Sequence, residues 1–427
     1  MHGLLVTLRE LIDLLKHIKL LVLPACLLMW GACTSQPLEN LPGEQVMHFP
    51  FSMALKGDTL VVSASDSDGR YSYGRMVALD TRAVDQALKS GVNKSPVPWK
   101  SIVSSNMMIP QDVGPLSMGD SLYLASRQNN QLYKVPLLST GLACNDAWQK
   151  IDTCKDISSV KLYDFDPFAL EIIGRTGGEE TVLLSYLTSS RLDLLKSQSG
   201  AGIILSKRFD TLDFLNAKAG FKLANDSGLI TKKIQLIKDD VYFLLEQSLK
   251  NNPTPASSKE AYLIAIKASD FLTSDLIADA AVRWWNLDER LGIAGAQDFY
   301  VDPDTNEALI LGRSPEALYK INLATDSLIE TTPACFSTTM MAVWPKQNRI
   351  FLPCFNSNRV ASFSIKPLEL KTNSGILGRG PAYIVIDENK SSIYVSYQLS
   401  GKVVIFDVNL NFLGHIFDSA PHNRIGS

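Results

Sequence analysis

Seven times after an apolar leader, the chain repeats one pattern of apolar and polar positions. An apolar run is followed by a turn, a second apolar run, a polar turn and a third apolar run. The last copy is the plainest: Tyr383-Ile-Val-Ile-Asp387, a turn at Glu388-Asn-Lys-Ser391, then Ser392-Ile-Tyr-Val-Ser396. A polar stretch, Tyr397-Gln-Leu-Ser-Gly401, leads into Lys402-Val-Val-Ile-Phe-Asp407. β-branched and aromatic residues dominate the runs, and Gly, Asp, Asn or Pro separate them. Each run therefore reads as a strand and each gap as a turn.

The first strands of the seven copies start near Met53, Leu116, Leu170, Ile234, Phe299, Met341 and Tyr383. The last two intervals are 42 residues, a period typical of propeller blades. The earlier intervals run from 54 to 65 residues, so the early blades carry insertions. These cover roughly 82–109, 138–162, 197–227 and 246–260, with short helices expected in Ala83–Ser90 and Ser269–Trp285. The pattern predicts an all-β fold: a seven-bladed β-propeller over 46–417 with loop insertions in the early blades. Closing such a ring leaves few exposed sheet edges. The segment Val46–Ala54 is expected to pair with the last blade and close the ring, and 418–427 to form a flexible tail.

The N-terminus changes the picture of where the chain works. An apolar run over 20–33 follows a segment carrying Arg9, Lys16, His17 and Lys19. It is shorter than the roughly 20 residues that span a bilayer and suits a signal peptide. Gly31 and Ala32 precede Cys33, and the polar Thr34, Ser35 and Gln36 follow. This resembles a bacterial lipoprotein cleavage box, although Trp30 stands where such boxes prefer Leu. The resemblance implies a signal peptide over 1–32, a lipid on Cys33 and a tether over 33–45. An ordinary secretory signal and an uncleaved anchor are the alternatives. Thr34, where retained lipoproteins carry Asp, favours the outer membrane.

Apart from Cys26 and Cys33, the cysteines form two local pairs, Cys144/Cys154 and Cys335/Cys354. No Cys-x-x-Cys occurs, which argues against redox dithiol and zinc-ribbon readings. In an exported chain such pairs become disulfides, with free buried thiols as the alternative. Cys335 precedes an inner strand and Cys354 ends the next. In a propeller both positions lie on one face, as a bridge requires.

Gly378-Arg-Gly-Pro381, then Ile393-Tyr-Val-Ser396, then Val403-Val-Ile-Phe-Asp407 resembles the repeat of YVTN-type seven-bladed propellers. That repeat has a Gly-x-x-Pro lead-in, a Tyr-Val second strand and a third strand ending in Asp. Tyr397 stands where the family carries Asn, and the sixth copy keeps the spacing but not the letters. The resemblance covers about the last 80 residues as sequence and implies a fold more than an activity.

Candidate chemistry is sparse. The net charge is −3 without a basic block, so no nucleic-acid partner is expected. After the leader only His48, His415 and His422 remain, in no ligand spacing. Asp302-Pro-Asp304-Thr-Asn306-Glu307 alternates oxygen ligands but lacks the glycine and distal glutamate of a calcium loop, and reads as a turn. Asp66-Ser-Asp68-Gly69 reads the same way. No Gly-x-Ser-x-Gly elbow or quinoprotein tryptophan repeat occurs, and neither a catalytic residue nor a cofactor or metal is assigned. Met107-Met108 and Met340-Met341 read as core or channel lining. Trp284-Trp285, framed by Arg283, Asn286, Asp288 and Glu289, forms a possible recognition patch or packs an outer strand. The expected function is a membrane-anchored envelope module that binds or scaffolds a protein or small-molecule partner. A lactonase-like or metal-dependent hydrolase and an accessory lipoprotein of outer-membrane protein assembly are the alternatives.

Overall fold

The computed structural model describes residues 47, 49–65, 73–90, 97, 102–110, 112–138, 141–144, 149–198, 202–211, 229–247, 260–273 and 282–417. Its strands form seven antiparallel sheets, each drawn from one continuous stretch of chain. Blade 1 holds β1–β4 (Pro50–Lys56, Thr59–Ala64, Gly74–Asp80, Val103–Ile109). Blade 2 holds β5–β9 (Val113–Met118, Ser121–Ser126, Gln131–Leu138, Gly141–Leu142, Ser158–Lys161), with β8 and β9 sharing the outer edge of β7. Blade 3 is β10–β13 (Pro167–Thr176, Glu179–Tyr186, Arg191–Gln198, Gly202–Asp210). Blade 4 is β14–β17 (Leu229–Ile237, Asp240–Gln247, Ala261–Lys267, Arg283–Asn286). Blade 5 is β18–β21 (Ala296–Asp302, Glu307–Gly312, Ala317–Asn322, Ser327–Pro333). Blade 6 is β22–β25 (Ala342–Trp344, Arg349–Cys354, Arg359–Ser364, Glu369–Asn373). Blade 7 is β26–β29 (Pro381–Asp387, Ser392–Tyr397, Lys402–Phe406, Phe412–Ile416). The seven-bladed propeller expected from the repeats is the fold observed.

The core lies between blades rather than within them. The second strand of each blade is apolar on both faces because a neighbouring blade covers each one. Along β15, Val241, Phe243 and Leu245 pack toward blade 3, while Tyr242 and Leu244 pack toward blade 5. Successive side chains alternate faces, so a one-residue slip would exchange the two cores. Full burial of a side chain such as Phe243 contributes about 1.5–3 kcal/mol.

Ring closure differs from expectation. β1 begins at Pro50 as the inner strand of blade 1, and blade 7 builds all four of its strands from 381–416. With β29 already in place as its fourth strand, blade 7 has no vacant position for an N-terminal strand. An apolar cluster joins the two blades instead, with Met53, Leu60 and Val77 against Tyr394, Val403 and Ile405. Lys390 of blade 7 adds ion pairs to Asp58 of blade 1 and to its own Asp387. The Val97 amide also donates to the carbonyl of His415 on β29 at 3.0 Å.

Three short helices occur among the described residues: α1 (Thr81–Lys89), α2 (Ala268–Thr273) and α3 (Leu287–Leu291). Asp80 caps α1 by accepting the Arg82 amide, as N-cap carboxylates do. Of the helix expected over Ser269–Trp285, the described residues hold α2 at its start, and 274–281 lie outside the described residues. Arg283–Asn286 pairs with β16 as the outer strand of blade 4.

The inner strands share one irregularity. Register shifts at Pro50/Ser52, Val113/Leu116, Pro167/Leu170, Thr231/Lys233, Ala296/Asp298 and Pro381/Tyr383 mark a bulge near the start of six of the seven. A bulge frees an amide and re-aims its residues. Serines of the second strands take up these amides in two blades. The Ser185 hydroxyl accepts from Ala169 N at 3.1 Å, and that of Ser396 from Tyr383 N at 3.0 Å.

Candidate functional site

Inner strands start, and second strands end, on one face of the ring, here the upper face. The pairs Pro50↔Ala64, Pro167↔Tyr186 and Pro381↔Tyr397 define it. The loop from β9 into β10 (162–166) carries Tyr163 and Phe165, which are 72% and 74% exposed, more than any other large apolar side chain among the described residues. Between and after them, Asp164 and Asp166 turn inward.

Each part of this loop is pinned. The Asp164 carboxylate accepts from Ser189 Oγ at 3.0 Å and pairs with Arg191 at 3.3 Å. Thr188 Oγ1 donates to the Phe165 carbonyl at 3.0 Å, and Leu187 N to that of Asp166 at 2.9 Å. Asp166 also forms an ion pair with Arg127. Asp112 flanks that pair; burial raises its carboxyl above the usual range, and Arg127 partly opposes the rise. The Arg208 guanidinium lies 4.6 Å over the Tyr163 ring. Arg208 is itself held by two bonds to the buried Asp193, at 2.6 and 3.1 Å. Two exposed aromatic rings on so braced a backbone lose little freedom on contact, which favours binding.

A second group lines the ring axis. The bulged Lys232 of β14 sits 5.1 Å from the ring of Phe168, the corresponding bulged residue of β10. Next to it, Lys233 pairs with the buried Asp298 of β18 and donates to Phe299 O at 3.0 Å. Asp298 further accepts Phe299 N and Met341 N, each at 2.7 Å. One carboxylate thus ties blades 4 and 5 to the lead-in of blade 6. Glu171 of β10 accepts from Leu236 N at 3.3 Å, and burial pushes its carboxyl up to about 7 against the pull of Lys233. Burial likewise raises the Tyr383 phenol to about 12, with Asp298 and Glu171 adding to the shift. An acid raised to about 7 that feels the charge of a lysine and acts on a phenol is of the kind that titrates near neutral pH at functional sites. No group of three or more His, Cys, Asp or Glu arranged to hold a metal occurs among the described residues.

The residues singled out in the sequence fall elsewhere. Cys33, His48, His422 and Asp66–Gly69 lie outside the described residues. Cys144–Cys154 and Cys335–Cys354 are disulfides, with Cα atoms 5.8 and 5.6 Å apart. The second closes the upper face of blade 6, where its strand positions put it. Trp284 and Trp285 lie on β17 and face opposite blades. Trp285 is buried, and its Nε1 donates to Leu323 O of blade 5 at 3.1 Å. Trp284 is half-buried, 6.1 Å from Tyr262. Both rings are engaged in packing. The 302–307 stretch is a hairpin turn in which Asp302 accepts Asp304 N at 3.0 Å. Glu307 there pairs with Lys320 and Lys366. Met107, Met108 and Met341 are core residues.

Sequence reasoning missed Tyr163, Phe165, Glu171, Lys233 and Asp298. The one usable signal was the Tyr163-Asp-Phe-Asp-Pro167 alternation immediately before an inner strand.

A scan against protein-family models found no match, and neither did a search of curated proteins. Among solved structures, the chain is similar to the crystal structure of a functionally unknown protein from Desulfotomaculum acetoxidans DSM 771. The two share 8% identity at a TM-score of 0.52, over 80% of this chain and 92% of that one. At that identity the likeness speaks to the fold alone, a ring of antiparallel blades.

Proposed function

We propose that this chain is an exported, lipid-anchored binding module of a bacterial envelope, recognising a protein partner through the 162–166 loop. The observation that carries the reading is the pair of exposed rings, Tyr163 and Phe165, on a loop braced by ion pairs. Rigid aromatic anchors of this kind dominate protein-interface energies. The leader ending at Cys33 supports export and anchoring, and the outer membrane is the favoured destination. Both disulfides fit an oxidising compartment. A co-purification from membranes with Tyr163→Ser/Phe165→Ser tests the reading. A stoichiometric partner that the double variant loses, with unchanged thermal stability, supports it. A partner retained by the variant refutes it. Labelling with palmitate, compared with Cys33→Ala, tests the anchor.

A second reading, a lactonase-like hydrolase, is favoured by the axial group of Glu171, Lys233 and Tyr383. Its test is a lactone-hydrolysis screen. Turnover that disappears in Glu171→Gln supports it, and no turnover, or turnover indifferent to that change, excludes the site.

A further inference from the structure

The upper face is not uniform in charge. Around blades 2–5 three of its arginines are matched, Arg127 with Asp166, Arg191 with Asp164 and Arg313 with Glu246, while Lys161 donates to the Asn129 carbonyl. Over blades 6 and 7 they are not. Arg359, Arg379 and Lys402 make no ion pair within 4.0 Å with any carboxylate among the described residues. Lys402 is half-buried, and that burial lowers its pKa without a compensating acid. Glu316, at the edge of this sector, accepts from Ser337 N with both oxygens, at 3.0 and 3.1 Å.

The same sector carries the next two most exposed apolar side chains, Phe336 at 67% and Ile376 at 61%. Its loops are joined into one surface. Cys335 is bonded to Cys354, Asn356 Nδ2 donates to Ser337 Oγ at 2.7 Å, and Gly380 N donates to Asn358 Oδ1 at 2.8 Å. Lys402 reaches this surface directly: a Cβ on Gly378 would fall 2.9 Å from its Cε.

The chain also meets the ring here. Met47 is buried, and a Cβ on Gly401, in the turn before Lys402, would fall 2.5 Å from its carbonyl oxygen. Only the residues from 34 to 46 separate Cys33 from Met47. Fully extended, they reach at most about 50 Å. An anchor at the N-terminus, whether a lipid on Cys33 or an uncleaved apolar segment, is thus joined to the ring at this sector by a short tether.

We infer that the upper face of blades 6 and 7 rests on an anionic lipid surface. Phe336 and Ile376 enter the interface while Arg359, Arg379 and Lys402 meet lipid phosphates. Apolar tips combined with basic residues are the combination that holds a surface to anionic bilayers, and a patch of this kind supplements a lipid anchor. The inference rests on the envelope reading above. The Tyr163/Phe165 loop lies on the same face but on the far side of the ring, over blades 2 and 3, so contact confined to blades 6 and 7 tilts the ring and lifts that loop from the lipid.

The test uses the full chain with Cys33→Ser, so that no lipid is attached. It is mixed with vesicles of phosphatidylglycerol or of phosphatidylcholine. Hydrogen exchange of 355–359 and 374–380 is followed against 162–166 as an internal control, which separates this contact from any binding by the leader. The expected result is protection of the first two segments on phosphatidylglycerol only. Arg359→Glu/Arg379→Glu/Lys402→Glu should weaken that response by on the order of 100-fold or more. Phe336→Ser/Ile376→Ser should abolish it without changing thermal stability. Equal protection on both lipids, no protection, or an unaffected triple variant overturns the inference. So does in-cell photo-crosslinking from position 376 to a protein instead of to lipid. None of those outcomes touches partner binding through Tyr163 and Phe165, which is read separately.

Discussion

Asp298→Ala is the most informative single perturbation of the ring. The carboxylate is buried and is met by Lys233, Phe299 N and Met341 N from three consecutive blades. Hydrogen bonds to a charged group contribute about 1.5–3 kcal/mol each. Removing one partner of a buried ion pair costs about 3–5 kcal/mol, because the other charge is left uncompensated. Lys233 is partly exposed and regains some hydration, which moderates the loss. The expected destabilisation is about 4 kcal/mol, and about 2 kcal/mol for Asp298→Asn, which keeps an acceptor. Urea unfolding with both disulfides intact measures this, as the midpoint displacement multiplied by the wild-type slope. Lys233→Met alone, and together with Asp298→Ala, completes a double-mutant cycle. The pair should couple by about 1–2 kcal/mol. A single-variant effect under about 0.5 kcal/mol, or strict additivity in the cycle, would refute the role assigned to this carboxylate.

Three further predictions concern the same fold. Glu171 has a folded-state pKa of about 7 against an ordinary 4.5, so its contribution is complete below pH 4.5 and is lost as pH rises through 7. Glu171→Gln should therefore match wild type near pH 4.5 and exceed it by on the order of 1–3 kcal/mol at pH 8, read from urea midpoints at each pH. Replacing Cys335 and Cys354 together by Ser should cost about 3 kcal/mol, and thiol titration of the unreduced wild type should find all four ring cysteines blocked. Trp285→Phe should lose about 1–2 kcal/mol by leaving the Leu323 carbonyl without its donor, and Trp284→Phe less than about 1 kcal/mol, both by thermal or urea unfolding.

The architecture was legible because each second strand, such as Val241–Leu245, is covered on both faces and so reads as a continuous apolar run. The Cys335–Cys354 bridge was legible for a related reason, since strand order alone puts both residues on one face. Ring closure was not. An N-terminal strand and the locally supplied β29 compete for the same edge, and nothing in the letters ranks them. The axial group was hidden by the bulges. A one-residue shift at Thr231/Lys233 and Ala296/Asp298 decides which of Lys232, Lys233, Gln297 and Asp298 faces the neighbouring blade. Tyr163 and Phe165 read as the ordinary end of an insertion. Their exposure depends on Arg127, Arg191 and Arg208, which lie up to 45 residues away in sequence and meet the loop only once blades 2 and 3 have paired. For Trp284-Trp285 the letters left recognition and outer-strand packing both open; adjacent residues of a strand point to opposite faces and β17 has a blade on each side, so both rings pack.

The most direct measurement is site-specific photo-crosslinking in living cells from position 165, with position 412 on the outer strand β29 as the control. Binding through the 162–166 loop requires one protein adduct from position 165 that is absent from position 412 and is lost when Tyr163→Ser is added. No protein adduct at 165, or the same adducts from both positions, would contradict it.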